Sequence, residues 1–173
     1  MSGFIEWLEG LNEKDTRVKA VLRRSCSFDP GGFVPAYPYV EPFVKHEVDS
    51  WRREMHYLVA GLWAGHWREG SWAQPVSIGE ASAALYLERD RSPSIERRFV
   101  SLLDADADQL PHRLRQMIAL LKDHAIDFDD LLGGLLYWNH EQKRTQSAWA
   151  RDFYRNAKVD TEEESIPQEE VTT

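Results

Sequence analysis

The spacing of the apolar residues is the feature of this sequence that most restricts its fold. Apolar side chains recur three and four positions apart along nearly the whole chain, and no segment alternates polar and apolar residues over the length of a strand. With 173 residues, of which 42% are hydrophobic, the chain can bury a core of its own. The sequence therefore predicts an all-α protein.

Capping residues, prolines and glycines divide this pattern into about eight helices. The predicted segments are 4–11, a helix capped by Asp15 over 16–25, 48–66, 77–88, a helix capped by Ser94, 110–122, a helix capped by Asp127, and 139–157. Val48 is placed on the buried stripe of the third of these. The proline- and glycine-rich stretch 28–43 is predicted to be a loop packed on the body, and GSWAQP at 70–75 interrupts the chain.

Charge is distributed unevenly along the chain. The formal net charge is -8, but six of the 29 acidic residues lie among the last fourteen residues, which contain no Lys, Arg or aromatic residue. Without those six charges the formal net charge is -2, so the body can carry a basic face. With a boundary at RDRSP, we expect a two-lobed helical bundle: an N-terminal lobe over 1–92, a C-terminal lobe over 93–158, and a disordered acidic tail over 159–173.

The search for catalytic and metal-binding motifs in the sequence is negative. It contains no phosphate-binding glycine loop, no HExxH and no nucleophile elbow. DADAD at 104–108 imitates the start of a calcium loop, but Gln109 and Arg115 stand where that loop needs glycine and glutamate. The sequence therefore predicts a protein that is not an enzyme and that has no cofactor and no metal.

The histidines and the single cysteine support the same interpretation. His46, His56 and His66 lie ten residues apart, which turns each about 80° from the last on a helix, so we expect solvent-facing or capping histidines. Cys26 has no disulfide partner and is expected to be a buried or half-buried thiol. The acidic N-terminus and the absence of a long apolar run predict a cytoplasmic protein with no membrane partner.

Arginine is the residue type that points to a binding function, because it outnumbers lysine fifteen to six and its planar guanidinium suits phosphate. Closely spaced pairs occur at 23 and 24, at 97 and 98, and at 113 and 115, the last pair on opposite sides of its helix. On the last helix, Arg144, Arg151 and Arg155 share one face and form a row about 16 Å long.

Three other interpretations of the sequence remain open. The arginines can lie on ordinary solvated helix faces, stabilised by pairs such as Glu141 with Arg144 and Asp152 with Arg155. They can belong to a helical adaptor that binds acidic protein surfaces. The chain can also be a small helical enzyme that uses Asp127 or a histidine.

Four segments, taken together, resemble the small subunit of type I-E Cascade, the CRISPR surveillance complex, a family also called CasB. They are DTRVKAVLRRS near the N-terminus, SIERRFVSLL, LRQMIALLKDHAIDFDDLLGGLLYW and the closing KRTQSAWARDFY. Their order and spacing, together with the chain length, carry the resemblance over most of residues 1–157.

The resemblance implies a two-lobed helical subunit without enzymatic activity, present as a homodimer within the complex. Its implied partners are crRNA, target DNA, the displaced strand, and the backbone and large subunits of Cascade. It implies sequence-independent contacts that steady the opened duplex, the R-loop, in antiviral defence. The family's basic positions fall here on Arg23, Arg24, Arg97, Arg98, Arg113, Arg115, Lys143 and Arg144. Arg151 and Arg155 are candidates from their helical spacing alone.

Overall fold

A computed structural model describes residues 3–66 and 73–157. The α-helices are α1 (Phe4–Lys14), α2 (Arg17–Arg24), α3 (Tyr37–Val44), α4 (Ser50–His66), α5 (Ile78–Glu88), α6 (Pro93–Leu103), α7 (Leu110–Leu120), α8 (Phe128–Leu135) and α9 (Arg144–Ala157). Short 3-10 turns cover Ser25–Ser27 and Val34–Ala36, and within the described ranges the only β pairing is a bridge between Val76 and Ile126. The all-α prediction is confirmed, with one helix more than predicted.

Helix α4 lies at the centre of the core. Every residue from Met55 to Ala64 is buried, because α1, α2, α3, α7 and α8 all pack against this helix. A helix covered on all sides needs small or apolar residues around its whole circumference, and MHYLVAGLWA meets that requirement at every position except His56. Helices α1, α2, α3, α7 and α8 are arranged around α4.

Helices α5 and α9 form the closest helix pair in the fold, and α6 packs on both of them and on α7. Phe99 of α6 stacks on Phe153 of α9, with ring centroids 4.6 Å apart. Helix α5 precedes the predicted division at residue 92 and α9 follows it, so this packing crosses the boundary. The division into two lobes remains a prediction, and the acidic tail 159–173 lies outside the described residues.

The predicted loop over 28–43 is wrong in its second half, where the structure has a 3-10 turn followed by α3. Pro38 lies in the first turn of α3, where a backbone N–H has no partner within the helix, so proline costs little there. Pro42 lies inside α3 and removes one hydrogen bond from a helix of eight residues. Burial of Val40 and Val44 against the core accompanies this loss.

Three predicted helix starts are also corrected. Helix α4 begins at Ser50, because Asp49 accepts a hydrogen bond from the Arg52 amide, and Val48 is 96% exposed rather than buried. Helix α6 begins at Pro93 with Ser92, not Ser94, as its N-cap, because proline is favoured at the first helical position.

The third correction concerns the last helix, which begins at Arg144 and not at residue 139. Lys143 has φ of +47°, a left-handed conformation that a right-handed helix cannot include. The predicted caps of α5 and α8 are confirmed, since Ser77 accepts from the Glu80 amide and Asp127 from the Asp130 amide. The interruption GSWAQP falls partly outside the described residues.

Candidate nucleic-acid interface

Two arginines of α6 point away from the core because of the apolar residues beside them. Helix α6 buries Ile95, Phe99 and Leu102, and the remaining face carries Arg97 and Arg98, which are both exposed. Since apolar residues three and four apart define the inner face, the two arginines between them must turn outward. The apolar stripe of α6 thus leaves both guanidiniums at the surface.

A groove between α6 and α7 brings three of the candidate arginines together. Arg97 and Arg98 line it from α6, and Arg113 lines it from α7. The Arg113 guanidinium donates from Nη1 to the carbonyl oxygen of Ser101 at 2.7 Å, which holds that side chain against α6. The full lining is Ser94, Arg97, Arg98, Ser101, Arg113, Gln116, Met117 and Leu120, around about 260 Å³ of space.

The chemistry of the groove is that of a site for a polyanion. No acidic side chain lines it, whereas three guanidiniums do, together with the polar side chains of Ser94, Ser101 and Gln116. Guanidiniums form two-pronged hydrogen bonds with phosphate oxygens. Pockets for small ligands enclose about 300–1,000 Å³. This smaller, open groove suits a phosphodiester segment better than an enclosed small molecule.

None of the ten candidate cations forms an ion pair with a carboxylate within residues 3–66 and 73–157. The ion pairs of these ranges are Arg17 with Asp15, Arg52 with Glu47, Arg53 with Glu41, and His124 with Glu88. If the last helix had an ordinary solvated face, the pairs Glu141–Arg144 and Asp152–Arg155 would be expected. Neither is formed in this part of the chain. Arg144 donates to the Gln142 side chain at 2.9 Å, and Asp152 accepts from Ser77 at 2.8 Å.

Arg115 occupies a different environment from Arg113. Its guanidinium donates from Nη2 to the carbonyl oxygen of Phe28 at 2.8 Å, and its buried Nε has no hydrogen-bond partner among the described residues. Burial lowers the pKa of Arg115 and raises the pKa of the nearby Cys26 thiol. Arg115 therefore connects α7 to the segment after α2, and Cys26 is half-buried as expected.

The remaining candidates lie at two other places on the surface. Arg23 and Arg24 are exposed in the last turn of α2, where Arg23 makes a long contact of 3.4 Å with the carbonyl oxygen of Ala64. The exposed cations of the last segment are Lys143, Arg144, Arg151 and Arg155. None of these six lines the groove between α6 and α7.

The residues considered for catalysis have structural roles. The Asp127 carboxylate caps α8 by accepting from the Asp130 amide at 2.9 Å. His56 is buried, which corrects the expectation of a solvent-facing or capping histidine: its ring packs edge-on against Phe4, and burial lowers its pKa. Its Nδ1 lies 2.6 Å from the carbonyl oxygen of Arg52.

The part of the chain that the structure describes contains no group of three or more His, Cys, Asp or Glu side chains placed to hold a metal ion. Within the same part, none of the helices combines the length and the apolar character needed to cross a bilayer.

Comparison with known proteins gives the family. The model of the family CRISPR-associated protein Cse2 matches residues 18–154, which include most of the candidate cations. The chain belongs to the Cse2 family. A curated Cse2 from Thermus thermophilus is 41% identical over 157 residues, covering 87% of this chain and 88% of the relative.

Solved structures of Cse2 relatives share the fold. The crystal structure of M. ruber CasB is 37% identical, with a TM-score of 0.79, and the match covers 94% of this chain and 96% of that chain. A chain of a CRISPR RNA-guided surveillance complex in a pre-nicking state matches with a TM-score of 0.78 over 94% of this chain and 96% of its own. At 21% identity, that second likeness concerns the fold alone.

Sequence reasoning missed how the groove is assembled. Ser101, Gln116 and Leu120 carry no signal of their own, because each is an ordinary residue on its helix. Ser101 lies one turn from Arg97 and Gln116 one turn from Arg113, but only the packing of α6 on α7 brings the two sets together. It also missed the exposed ring of Phe28, which lies in the segment predicted to be a packed loop.

Proposed function

We propose that this Cse2 family member is the non-catalytic small subunit of an RNA-guided Cascade surveillance complex, active in the cytoplasm in antiviral defence. In this role its arginines bind the backbones of crRNA and of target and displaced DNA without reading their sequence, and thereby stabilise the R-loop. The backbone and large subunits of Cascade are its protein partners, and two copies of the chain act together in the complex.

The observation that carries this proposal is the groove between α6 and α7. Arg97, Arg98 and Arg113 converge there without an acidic neighbour in the lining, and none of the three forms an ion pair within the described residues. Arginines that served only as solvated helix faces would be expected to pair with carboxylates on the same helix. Arg113 uses only Nη1 for the Ser101 carbonyl oxygen, and convergent guanidiniums without an ion pair in the described residues keep other donors for phosphate.

The energetics of strand exchange suit such a subunit. An RNA–DNA heteroduplex is about as stable as the DNA duplex that it replaces, so R-loop formation is nearly balanced. A few backbone contacts of modest strength are then enough to favour the open state. Because base pairing with the guide reads the sequence, the subunit needs to supply only charge in a suitable geometry.

The salt dependence of nucleic-acid binding tests the role of the groove. The full chain is titrated with a labelled single-stranded oligonucleotide over a range of salt concentrations. Each neutralised phosphate of a single strand contributes about -0.7 to the slope of log affinity against log salt. We expect Arg97→Ala with Arg98→Ala to flatten that slope by about 0.7–1.4, since one or two phosphate contacts are lost.

The matched control removes two other surface arginines, Arg17 and Arg89. Arg17 is paired with Asp15, Arg89 is the C-cap of α5, and neither lines the groove. Arg17→Ala with Arg89→Ala therefore changes the net charge by the same amount without touching the groove. An equal flattening in both double variants would mean that only total charge matters and would reject the groove as the contact site.

The complex itself is tested by affinity purification. A tagged chain expressed with its neighbouring genes is expected to co-purify a guide RNA and the other Cascade subunits, with two copies of the chain in the native mass of the assembly. Recovery of the chain with acidic proteins and without RNA would favour a helical adaptor instead.

A further inference from the structure

The ring of Phe28 is unusually exposed for a phenylalanine that is held in place. It stacks on Phe33, with centroids 4.7 Å apart and an angle of 19° between the ring planes, and Phe28 is 45% exposed. Phe33 covers one face of the ring, so the opposite face is the one left for a further ring to stack on. The pair therefore presents a flat aromatic surface to the outside, which we call the Phe28 shelf.

Hydrogen bonds hold the backbone of Phe28 through both its amide and its carbonyl group. The Phe28 amide donates to the carbonyl oxygen of Ser25 at 3.0 Å, and its own carbonyl accepts from Arg115 at 2.8 Å. The chain then turns back through Gly31, whose φ of +82° favours glycine, and this turn brings Phe33 under Phe28. A flat surface that is already ordered loses little entropy when a ligand stacks on it.

Arg115 contacts the backbone of the Phe28 shelf, and Arg24 and Arg23 lie four and five residues before Phe28 in the chain. Arg115 donates to the Phe28 carbonyl oxygen at 2.8 Å. Burial raises the pKa of the Cys26 thiol, two positions before Phe28, and the charges of Arg115 and Arg23 lower it. Arg24 is exposed one turn away, at the end of α2. Asp29 is the opposing charge, but none of the three arginines forms an ion pair with it in the described residues.

We propose that the Phe28 shelf stacks an unpaired base of a single-stranded nucleic acid, while Arg23 and Arg24 contact the adjoining phosphates. An open aromatic face beside cations is the combination that binds single strands without regard to sequence, because every base has a face to stack. A duplex does not fit the shelf, since its bases already stack on one another. This inference rests on the proposed function and adds a second contact, apart from the groove between α6 and α7.

The decisive comparison uses two polyanions, only one of which carries bases. Oligo(dT) and inorganic polyphosphate are titrated against the full chain and against Phe28→Ala, Phe28→Leu and Phe28→Trp. Stacking on an aromatic residue contributes enough that its loss weakens binding about tenfold. We expect Phe28→Ala and Phe28→Leu to bind oligo(dT) about tenfold more weakly than the parent chain, with Phe28→Trp at parental affinity and polyphosphate unaffected by all three.

Phe28→Leu separates stacking from plain apolar contact, and Val34→Ala is the matched control. Val34 is 65% exposed on the same segment, so its truncation removes apolar surface without removing a ring. Full oligo(dT) affinity in Phe28→Leu would overturn the proposal, as would an equal loss in Val34→Ala or an equal loss for polyphosphate.

The failure of this inference is distinguishable from the failure of the proposed function. If the shelf has no role but the function is right, the parent chain binds oligo(dT), and Phe28→Ala binds it equally well. If the proposed function is wrong, the parent chain binds neither polyanion. Because Phe28→Ala removes no charge, its slope against log salt is expected to equal that of the parent chain, unlike the slope of Arg97→Ala with Arg98→Ala.

Discussion

At the scale of single residues, Arg113 and Arg115 show how two neighbouring arginines acquire different roles. Their spacing predicts opposite sides of one helix, and in the structure one lines the groove while the other holds the carbonyl oxygen of Phe28. Both make a hydrogen bond to a main-chain oxygen, and burial lowers the pKa of Arg115. A basic residue that the sequence assigns to binding can therefore also have a structural role.

This difference predicts a loss of stability in Arg115→Ala. Removing the guanidinium leaves the Phe28 carbonyl without its donor and frees the segment after α2, which we expect to lower the free energy of unfolding by about 1–2 kcal/mol. Urea denaturation followed by circular dichroism measures the change. The control is Arg98→Ala, an exposed arginine without an ion pair in the described ranges, which should stay within about 0.5 kcal/mol of the parent. Equal stability of the two variants would contradict the structural role of Arg115.

The outward direction of the arginines on α6 could be predicted from sequence, whereas the partners of the other charges could not. Periodicity places Arg97 outward and Arg98 at the flank of the apolar stripe, and both are exposed in the structure. The pair Glu141–Arg144 was expected because both residues were assigned to one helix, and it is not formed because that helix begins only at Arg144. A side-chain contact depends on the helix boundary, and the left-handed Lys143 that sets this boundary leaves no pattern in the sequence.

At the scale of secondary-structure elements, the packing of α5 against α9 depends on one glycine. A Cβ atom at Gly79 would clash with the carbonyl oxygen of Trp149 and lie 2.8 Å from Cβ of Asp152. Both α5 and α9 would have to separate, since the nearest obstacle is a backbone atom. This contact matters for the candidate site because α6, which carries Arg97 and Arg98, packs on the same two helices.

We therefore expect Gly79→Ala to destabilise the fold by about 1–3 kcal/mol, as overpacked substitutions do. Thermal unfolding measures the effect. Gly133→Ala is the matched control, because Gly133 lies in α8 with nothing within 4 Å of its added Cβ, and alanine there should stabilise the helix by about 0.5–1 kcal/mol. A melting temperature of Gly79→Ala at or above that of the parent would show that α5 and α9 do not pack this closely.

Most elements could be predicted from the sequence, and the exceptions have physical causes. The caps at Ser77 and Asp127 were found because a polar N-cap followed by apolar periodicity is a local signal. Helix α3 was missed because its prolines argue against helix, although the first of them lies where proline is tolerated. Burial of Val40 and Val44 is a tertiary effect that a local pattern does not report.

At the scale of the whole molecule, charge is separated along the chain. The formal net charge of -8 includes six acidic residues within the last fourteen, whereas the candidate cations lie between residues 23 and 155. The sequence could predict this separation, but it could not predict which cations converge. The groove needs α6 and α7 to cross, and the Phe28 shelf needs the turn at Gly31.

The separation of charge predicts that the acidic segment 159–173 weakens nucleic-acid binding by the rest of the chain. It holds six acidic residues and no basic one, so its removal raises the formal net charge from -8 to -2. We expect a chain that ends at residue 158 to bind oligo(dT) more tightly at low salt, by about three- to tenfold, and the gain to shrink at high salt because screening weakens repulsion. Binding titrations at low and high salt measure both effects.

A full-length variant in which these six acids are replaced by Asn or Gln keeps the segment and removes only its charge. If electrostatic repulsion is the cause, this variant gains as much affinity as the truncated chain. A gain in the truncated chain alone would instead mean that the segment blocks the cations by its bulk. In either case, Arg97→Ala with Arg98→Ala in the truncated chain should lose the same part of the salt slope as in the full chain, because the groove makes its phosphate contacts independently of the segment.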